Sequence, residues 1–158
     1  MARRYWLFKT EPGCFSIDTL ADCPDGTDSW DGVRNYQARN MLRDDIKNGD
    51  GVLFYHSSTA VPGVAGLADV VRSGYPEHTA RDVNGQHFDP KATAASPIWF
   101  MVDVRFKKKF GDIVPLTILK ATPGLEQMMV TQRGSRLSIQ PVTKAEWDIV
   151  LKLARQKR

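Results

Sequence analysis

An α+β fold, its strands curled into a barrel or half-barrel, is what the sequence predicts, on three observations. Apolar and polar residues alternate with a period of two in several separate stretches, most clearly Gly51–Ser57 and Ile98–Phe106. Helical spacing occurs early and late in the chain, with strands between. The 158 residues show no internal repeat, low-complexity tract or linker, so one domain over 1–158 is expected.

The elements follow in order. Tyr5–Thr10 is aromatic-rich, reads as a first strand, and is ended by Pro12-Gly13. Ser16 caps a short helix, with Phe15 and Leu20 at staple positions. Ala21–Ser29 is acidic and turn-like. A helix is expected from about Asn35, with Ala38, Met41, Leu42 and Ile46 on its apolar face and Asn48-Gly49 as its stop. In Gly51–Ser57, Leu53, Tyr55 and Ser57 share one face and Val52, Phe54 and His56 the other. Gly63–Arg72 is the next strand. Gly74–Pro97 is a long connection, of a length that often carries function.

Ile98, Phe100, Val102, Val104 and Phe106 then line one face of a strand. Val114–Lys120 reads as a short strand or a turn of helix, Pro123–Met129 as a short helix, and Arg136–Ile139 as a short strand ended by Pro141. Thr143 to Glu146 is a capping box opening a last helix that buries Trp147, Val150, Leu151 and Ala154.

Composition narrows the function. The hydrophobic fraction of 42% and charged fraction of 25% are those of a soluble globular chain. No apolar run approaches the roughly 20 residues of a membrane span, and the N-terminus lacks a signal-peptide cleavage pattern. The expected location is the cytosol, or a nucleus where there is one. Two cysteines, Cys14 and Cys23, fit a reducing compartment. The net charge is +4, with cations gathered in Arg105–Lys109 and at Lys152, Arg155, Lys157 and Arg158, so a polyanion is the first partner to consider. Arg105, Lys107, Lys108 and Arg136 are the candidate phosphate contacts. A monomer is expected.

Catalytic and metal signatures are sparse. Cys14, Cys23, His56, His78 and His87 have no zinc spacing, and HExxH, GxSxG, Walker and GxGxxG patterns are absent, so neither metal nor cofactor is expected. Cys23 lies among aspartates that raise a thiol pKa, which argues against a nucleophile. Lys9, Thr10 and Glu11 present a cation, a hydroxyl and a carboxylate at one strand end. That is either a functional group or a surface salt bridge.

The densest chemistry is in Ser29–Asn40, where Trp30, Asp31, Gly32, Arg34, Asn35 and Tyr36 fall within seven residues. Two readings fit: a pocket that stacks a flat ligand and hydrogen-bonds its edge, or a loop whose tryptophan plugs the core. Tyr55, Tyr75 and Phe88 add aromatics in or beside loops, and Lys9, His56 and Ser57 add polar groups at strand edges. Aromatics interleaved with donors suit a nucleobase or similar heterocycle. A binding module, a sensor of a free modified nucleoside, and an enzyme using Glu11 or His56 as acid–base are the function classes left open.

YWLFKTEP (Tyr5–Pro12), WDGVRNYQARN (Trp30–Asn40), GDGVLFYHS (Gly49–Ser57), PGVAGLADVV (Pro62–Val71) and RLSIQPVT (Arg136–Thr143) together resemble the EVE domain family, in order and over nearly the whole chain. The resemblance implies a PUA-like fold, a small mixed β-barrel of five to six strands with flanking helices, similar to the YTH domain that reads methylated adenine in RNA. It implies a non-catalytic reader of modified bases, with modified cytosine in DNA the leading ligand class. By motif it puts Lys9, Thr10 and Glu11 at the pocket border, Trp30 in the cage, Arg34, Asn35 and Tyr36 after it, and Tyr55, His56 and Ser57 at a second edge. A further cage aromatic is expected from Tyr75, His87 or Phe88. Arg136 and Ser138 either touch ligand or brace the barrel.

Overall fold

Two strands far apart in sequence pair in parallel at the heart of the sheet. In the computed structural model, which describes residues 3–156, β1 (Tyr5–Thr10) runs beside β3 (Gly51–His56), with Tyr5 opposite Gly51 and Thr10 opposite His56. Every other pairing is antiparallel: β3 with β4 (Gly63–Pro76), β4 with β5 (Phe100–Pro115), β5 with β2 (Thr27–Trp30), and β1 with β6 (Ile139–Val142). The order is β2-β5-β4-β3-β1-β6. With α1 (Ile17–Asp22), α2 (Tyr36–Asn40), α3 (Leu116–Ala121) and α4 (Lys144–Arg155) this is a mixed α+β fold.

The sheet is open, with β2 and β6 as its edges, and in this respect differs from a closed barrel. The edges are brought together by side chains instead of ladder hydrogen bonds. Trp30 of β2 and Ile139 of β6 lie in one buried cluster with Phe8, Phe54 and Val102. The pocket described below sits at that unpaired seam.

Strand alternation builds two cores. Trp6, Phe8, Val52 and Phe54 face Ile17 and Leu20 of α1 and Ala38 and Leu42 of the second helical segment. Leu7, Leu53, Tyr55 and Leu67 face Leu119 of α3 and Trp147 and Val150 of α4. A central strand buried on both sides needs a near-continuous apolar run, and β3 supplies one. Both expected caps form: Thr143 and Glu146 make the expected capping box, and Ser16 caps α1 and makes one as well, with Thr19. α2 widens into a π-helical stretch, Met41–Asp45, before Asn48-Gly49.

Five expectations are corrected. The polar segment Thr27–Trp30 is a strand, not a turn, because it pairs along β5 with Trp30 opposite Val102. The strand expected at 98–106 continues to Pro115, and the strand beginning at Gly63 reaches Pro76, each passing irregularities in register. No helix spans 123–129; a left-handed Gly124 (φ +96) turns the chain, and a 3₁₀ turn follows at Met129–Thr131. The last strand begins at Ile139 and contains Pro141, which an edge strand tolerates.

The connection over 77–99 is not structureless. Ala80, Ala92 and Trp99 form a small core of their own, and Trp99 Nε1 donates to Asp89 at 2.7 Å. Of the C-terminal cations, Lys157 and Arg158 lie outside the described residues.

Candidate ligand pocket at the open seam

A cavity of about 300 Å³ lies where β1 ends and the sheet edges meet. β1 contributes Lys9 and Thr10, the turn after it Phe15, and β2 Asp28, Ser29 and Trp30. The segment entering α2 contributes Asp31 to Arg34, and Ser138, just before β6, completes the lining. The hydrogen bond from Lys9 N–H to Ser138 C=O at 2.8 Å fixes those two walls together.

Trp30 fills the core, as one reading of its stretch has it, and also borders the cavity. Its indole is 8% exposed and packs against Phe8 at 5.1 Å, edge-on to Phe54 at 5.5 Å and edge-on to Phe15 at 6.1 Å. It therefore plugs the core and also lines the pocket, with Phe15 as the second lining aromatic.

The wall formed by Asp31–Arg34 is held from the far side by Glu77, whose side chain is fully buried. Its carboxylate accepts the Gly32 N–H and pairs with Arg34 Nη1 at 2.7 Å. The Arg34 guanidinium also donates to the His87 carbonyl and lies 4.9 Å from the Trp99 ring centroid. Gly32 has φ +76, a conformation that favours glycine, and a Cβ there would fall 2.5 Å from His87 Cε1, so a side chain would also push the His87 ring aside. His87 Nε2 stands 3.8 Å from Asp31 Oδ1. The 77–99 connection thus buttresses the pocket.

The rim mixes signs: Asp28 and Asp31 against Lys9 and Arg34. Lys9 Nζ donates to Ser135 C=O at 3.1 Å beside the Tyr55 ring, and burial pulls its pKa down. Behind Asp28, burial and then that carboxylate push the Cys23 thiol up.

Of the residues singled out from sequence, Lys9, Thr10, Trp30 and Arg34 come together here. Glu11 is exposed, and its carbonyl takes the Cys14 and Phe15 amides in a turn. Asn35 is the N-cap of α2, its side chain accepting from Ala38 N–H at 3.0 Å. Tyr36 is exposed and stacks on Trp99 at 5.1 Å, outside the pocket. Tyr55 is buried on the opposite face of the sheet from Trp30. His56 Nε2 accepts from Ile17 N–H at 3.1 Å, and burial pushes its pKa down. Ser57 extends the β1–β3 pairing by donating to Thr10 C=O.

Phe88 is exposed and lies off the pocket lining, and Tyr75 donates to Asp103, with its pKa pushed up to about 12, chiefly by burial. Local sequence did not single out Phe15, Asp28 or Glu77 as site residues, and left Ser138 undecided.

The expected phosphate contacts are divided. Arg105 pairs with Asp25 at 2.5 Å, Lys107 faces Asp69 at 3.9 Å, and Lys107 and Lys108 line a groove with Trp147 on the α4 side. Arg136 is exposed in the loop before β6. Among the described residues no three His, Cys, Asp or Glu side chains gather to hold a metal, and no helix is long and apolar enough to cross a membrane.

Four matches relate the chain to known proteins. The family model described as the EVE domain matches residues 4–153. Human thymocyte nuclear protein 1 is 44% identical over 165 residues, covering 94% of this chain and 73% of that protein. Among solved structures, a Pseudomonas syringae protein superposes with a TM-score of 0.90 at 45% identity, covering 95% of this chain and 99% of that one. Human THYN1 in complex with 5-methylcytosine-containing DNA superposes with a TM-score of 0.89 at 43% identity, covering 98% and 99%.

Proposed function

Because the chain belongs to the EVE domain family, we propose that it is a non-catalytic module that reads a modified base in nucleic acid, with modified cytosine in DNA the first candidate and a methylated base in RNA the second. The observation that carries this reading is the seam pocket: about 300 Å³, aromatic at Trp30 and Phe15, with Thr10, Asp28 and Ser138 as polar groups at its sides. A volume at the lower end of ligand pockets suits a single base better than a larger cofactor. The DNA complex of human THYN1, at 43% identity, supports the same ligand class. Such a module would act in the cytosol of a bacterium or the nucleus of a eukaryote.

The energetics follow from the parts. Extruding a base from a duplex costs a few kcal/mol, and less from a single strand. Stacking on an aromatic returns about 1–3 kcal/mol. Asp28 supplies a carboxylate acceptor suited to the exocyclic amine of cytosine. Burying one methyl contributes about 0.8 kcal/mol, roughly a fourfold preference, so stronger discrimination must come from an unfilled cavity or an unpaired pocket group with the bare base.

The mixed rim favours a second reading, a sensor of a free modified nucleoside, because Asp28 and Asp31 offset Lys9 and Arg34 at the mouth. Titration of matched oligonucleotides, with and without 5-methylcytosine, and of the free nucleoside decides between them. The reader gives tighter, salt-dependent binding to the modified strand, and the sensor gives salt-independent binding to the nucleoside. Equal affinity for modified and bare bases, unchanged in Trp30→Phe, removes both.

A further inference from the structure

A second groove, of about 640 Å³, lies beside the end of β1. Lys120, Arg133 and Arg136 stand along it, with Lys9 and Tyr55 also in its lining. No carboxylate lines it. Among the described residues, none of Lys120, Arg133 and Arg136 has a carboxylate partner, whereas Arg105, Lys107 and Lys109 on β5 face Asp25, Asp69 and Asp18. The basic run that is conspicuous in sequence is thus largely neutralised internally. The scattered cations of 120–136 are not.

This groove adjoins the seam pocket around the end of β1, lying on the Tyr55 face of the sheet where the pocket lies on the Trp30 face. Lys9 lines both cavities, its Nζ held by the Ser135 carbonyl at 3.1 Å. Ser138, three residues beyond Ser135, lines the pocket. Gly134, at φ +76, turns the chain between Arg133 and Ser135. Thr131 and Gln132 add polar side chains to the same lining. Unpaired cations that share one groove free of carboxylates suit a polyanion, because each releases a condensed counterion from a phosphate it neutralises. The geometry points to this groove as the track for the phosphodiester backbone of the strand whose base enters the seam pocket, with Lys120, Arg133 and Arg136 neutralising its phosphates. The assignment rests on the base-reading proposal above.

The test uses the full chain with a single-stranded DNA carrying one 5-methylcytosine, its unmodified twin, and free 5-methyl-2′-deoxycytidine. Variant K120Q/R133Q/R136Q is compared with R43Q/K47Q/K144Q, which removes the same charge elsewhere, and thermal melting checks that each folds. The groove variant should lower the slope of log affinity against log salt by about 2, at roughly 0.7 per phosphate contact. It should leave nucleoside affinity unchanged, while the comparison variant keeps the full slope. An unchanged slope in the groove variant, or a slope that falls instead in R105Q/K107Q/K108Q, overturns the assignment. Base preference that survives with an unchanged slope sinks the groove alone. Loss of slope with no preference between the two strands sinks the base reading alone. No oligonucleotide binding by the unaltered protein sinks both.

Discussion

Glu77 and Arg34, far apart in sequence, form the ion pair that holds the pocket wall: the carboxylate is buried, pairs with the guanidinium at 2.7 Å, and at the same time accepts the Gly32 amide. Removing it leaves an amide and a partly buried cation without their partner. Glu77→Ala should therefore lower the unfolding free energy by about 1–3 kcal/mol, with a smaller loss in Glu77→Gln, which keeps an oxygen for Gly32. Urea unfolding measures this. Undiminished stability in the alanine variant would show that the wall does not depend on this pair.

The aromatic cluster separates stability from binding. Trp30→Ala should cost about 3–5 kcal/mol, because the indole fills the space between Phe8, Phe15 and Phe54. Lost binding in that variant would say little about contact. Phe15 is half-buried at the pocket, so Phe15→Leu should fold nearly normally and lose much of the about 1–3 kcal/mol that a stacking face supplies. Oligonucleotide titration alongside thermal melting reads the two effects apart. A Phe15→Leu variant with unaltered affinity would leave Trp30 as the sole stacking surface.

Legibility in the sequence followed the range of each interaction. Trp30 and Arg34 stand out because aromatic and polar residues crowd one short stretch, and Lys9 and Thr10 because they end an obvious strand. The caps at Ser16 and Thr143 are local patterns and form as written. Glu77 could not be read, since its partners Gly32 and Arg34 meet it only through the folded 77–99 connection. β2 was hidden for a related reason: Asp28 and Ser29 at its centre, in an acidic turn-like stretch, mask the strand preference of Thr27 and Trp30, and the strand becomes plain only in its pairing with Val102 to Arg105. Phe15 fits its staple role, and only the fold turns it towards the seam. The charge run on β5 was visible, but the aspartates that neutralise it come from α1, the turn before β2, and β4.

Asn35 offers a direct separation of cap from ligand contact. Its side chain accepts the Ala38 amide at the start of α2. Asn35→Ala should cost about 1 kcal/mol, and Asn35→Ser should recover most of it, because serine caps equally well. If the cap is its whole role, affinity in the serine variant matches the unaltered protein. Loss of affinity in Asn35→Ser with stability restored would instead place the amide on the ligand.

His56 makes stability sensitive to acid. Its Nε2 accepts the Ile17 amide at the first turn of α1, so the folded state needs the neutral ring. Burial is the main force depressing its pKa below the ordinary 6.5, with Lys109 adding to the shift and Asp18 opposing it. Between the folded pKa and 6.5 the unfolded chain binds more protons than the native one, so unfolding free energy rises with pH across that window. The contribution is fully present above 6.5 and is lost as pH falls towards the folded pKa. Denaturant midpoints for the unaltered protein should thus decline below about pH 6.5. His56→Gln, which retains an acceptor but no titrating ring, should flatten that part of the profile. Asp18→Asn removes the opposing charge and should deepen the decline, while an identical acid profile in His56→Gln would assign the sensitivity to other groups.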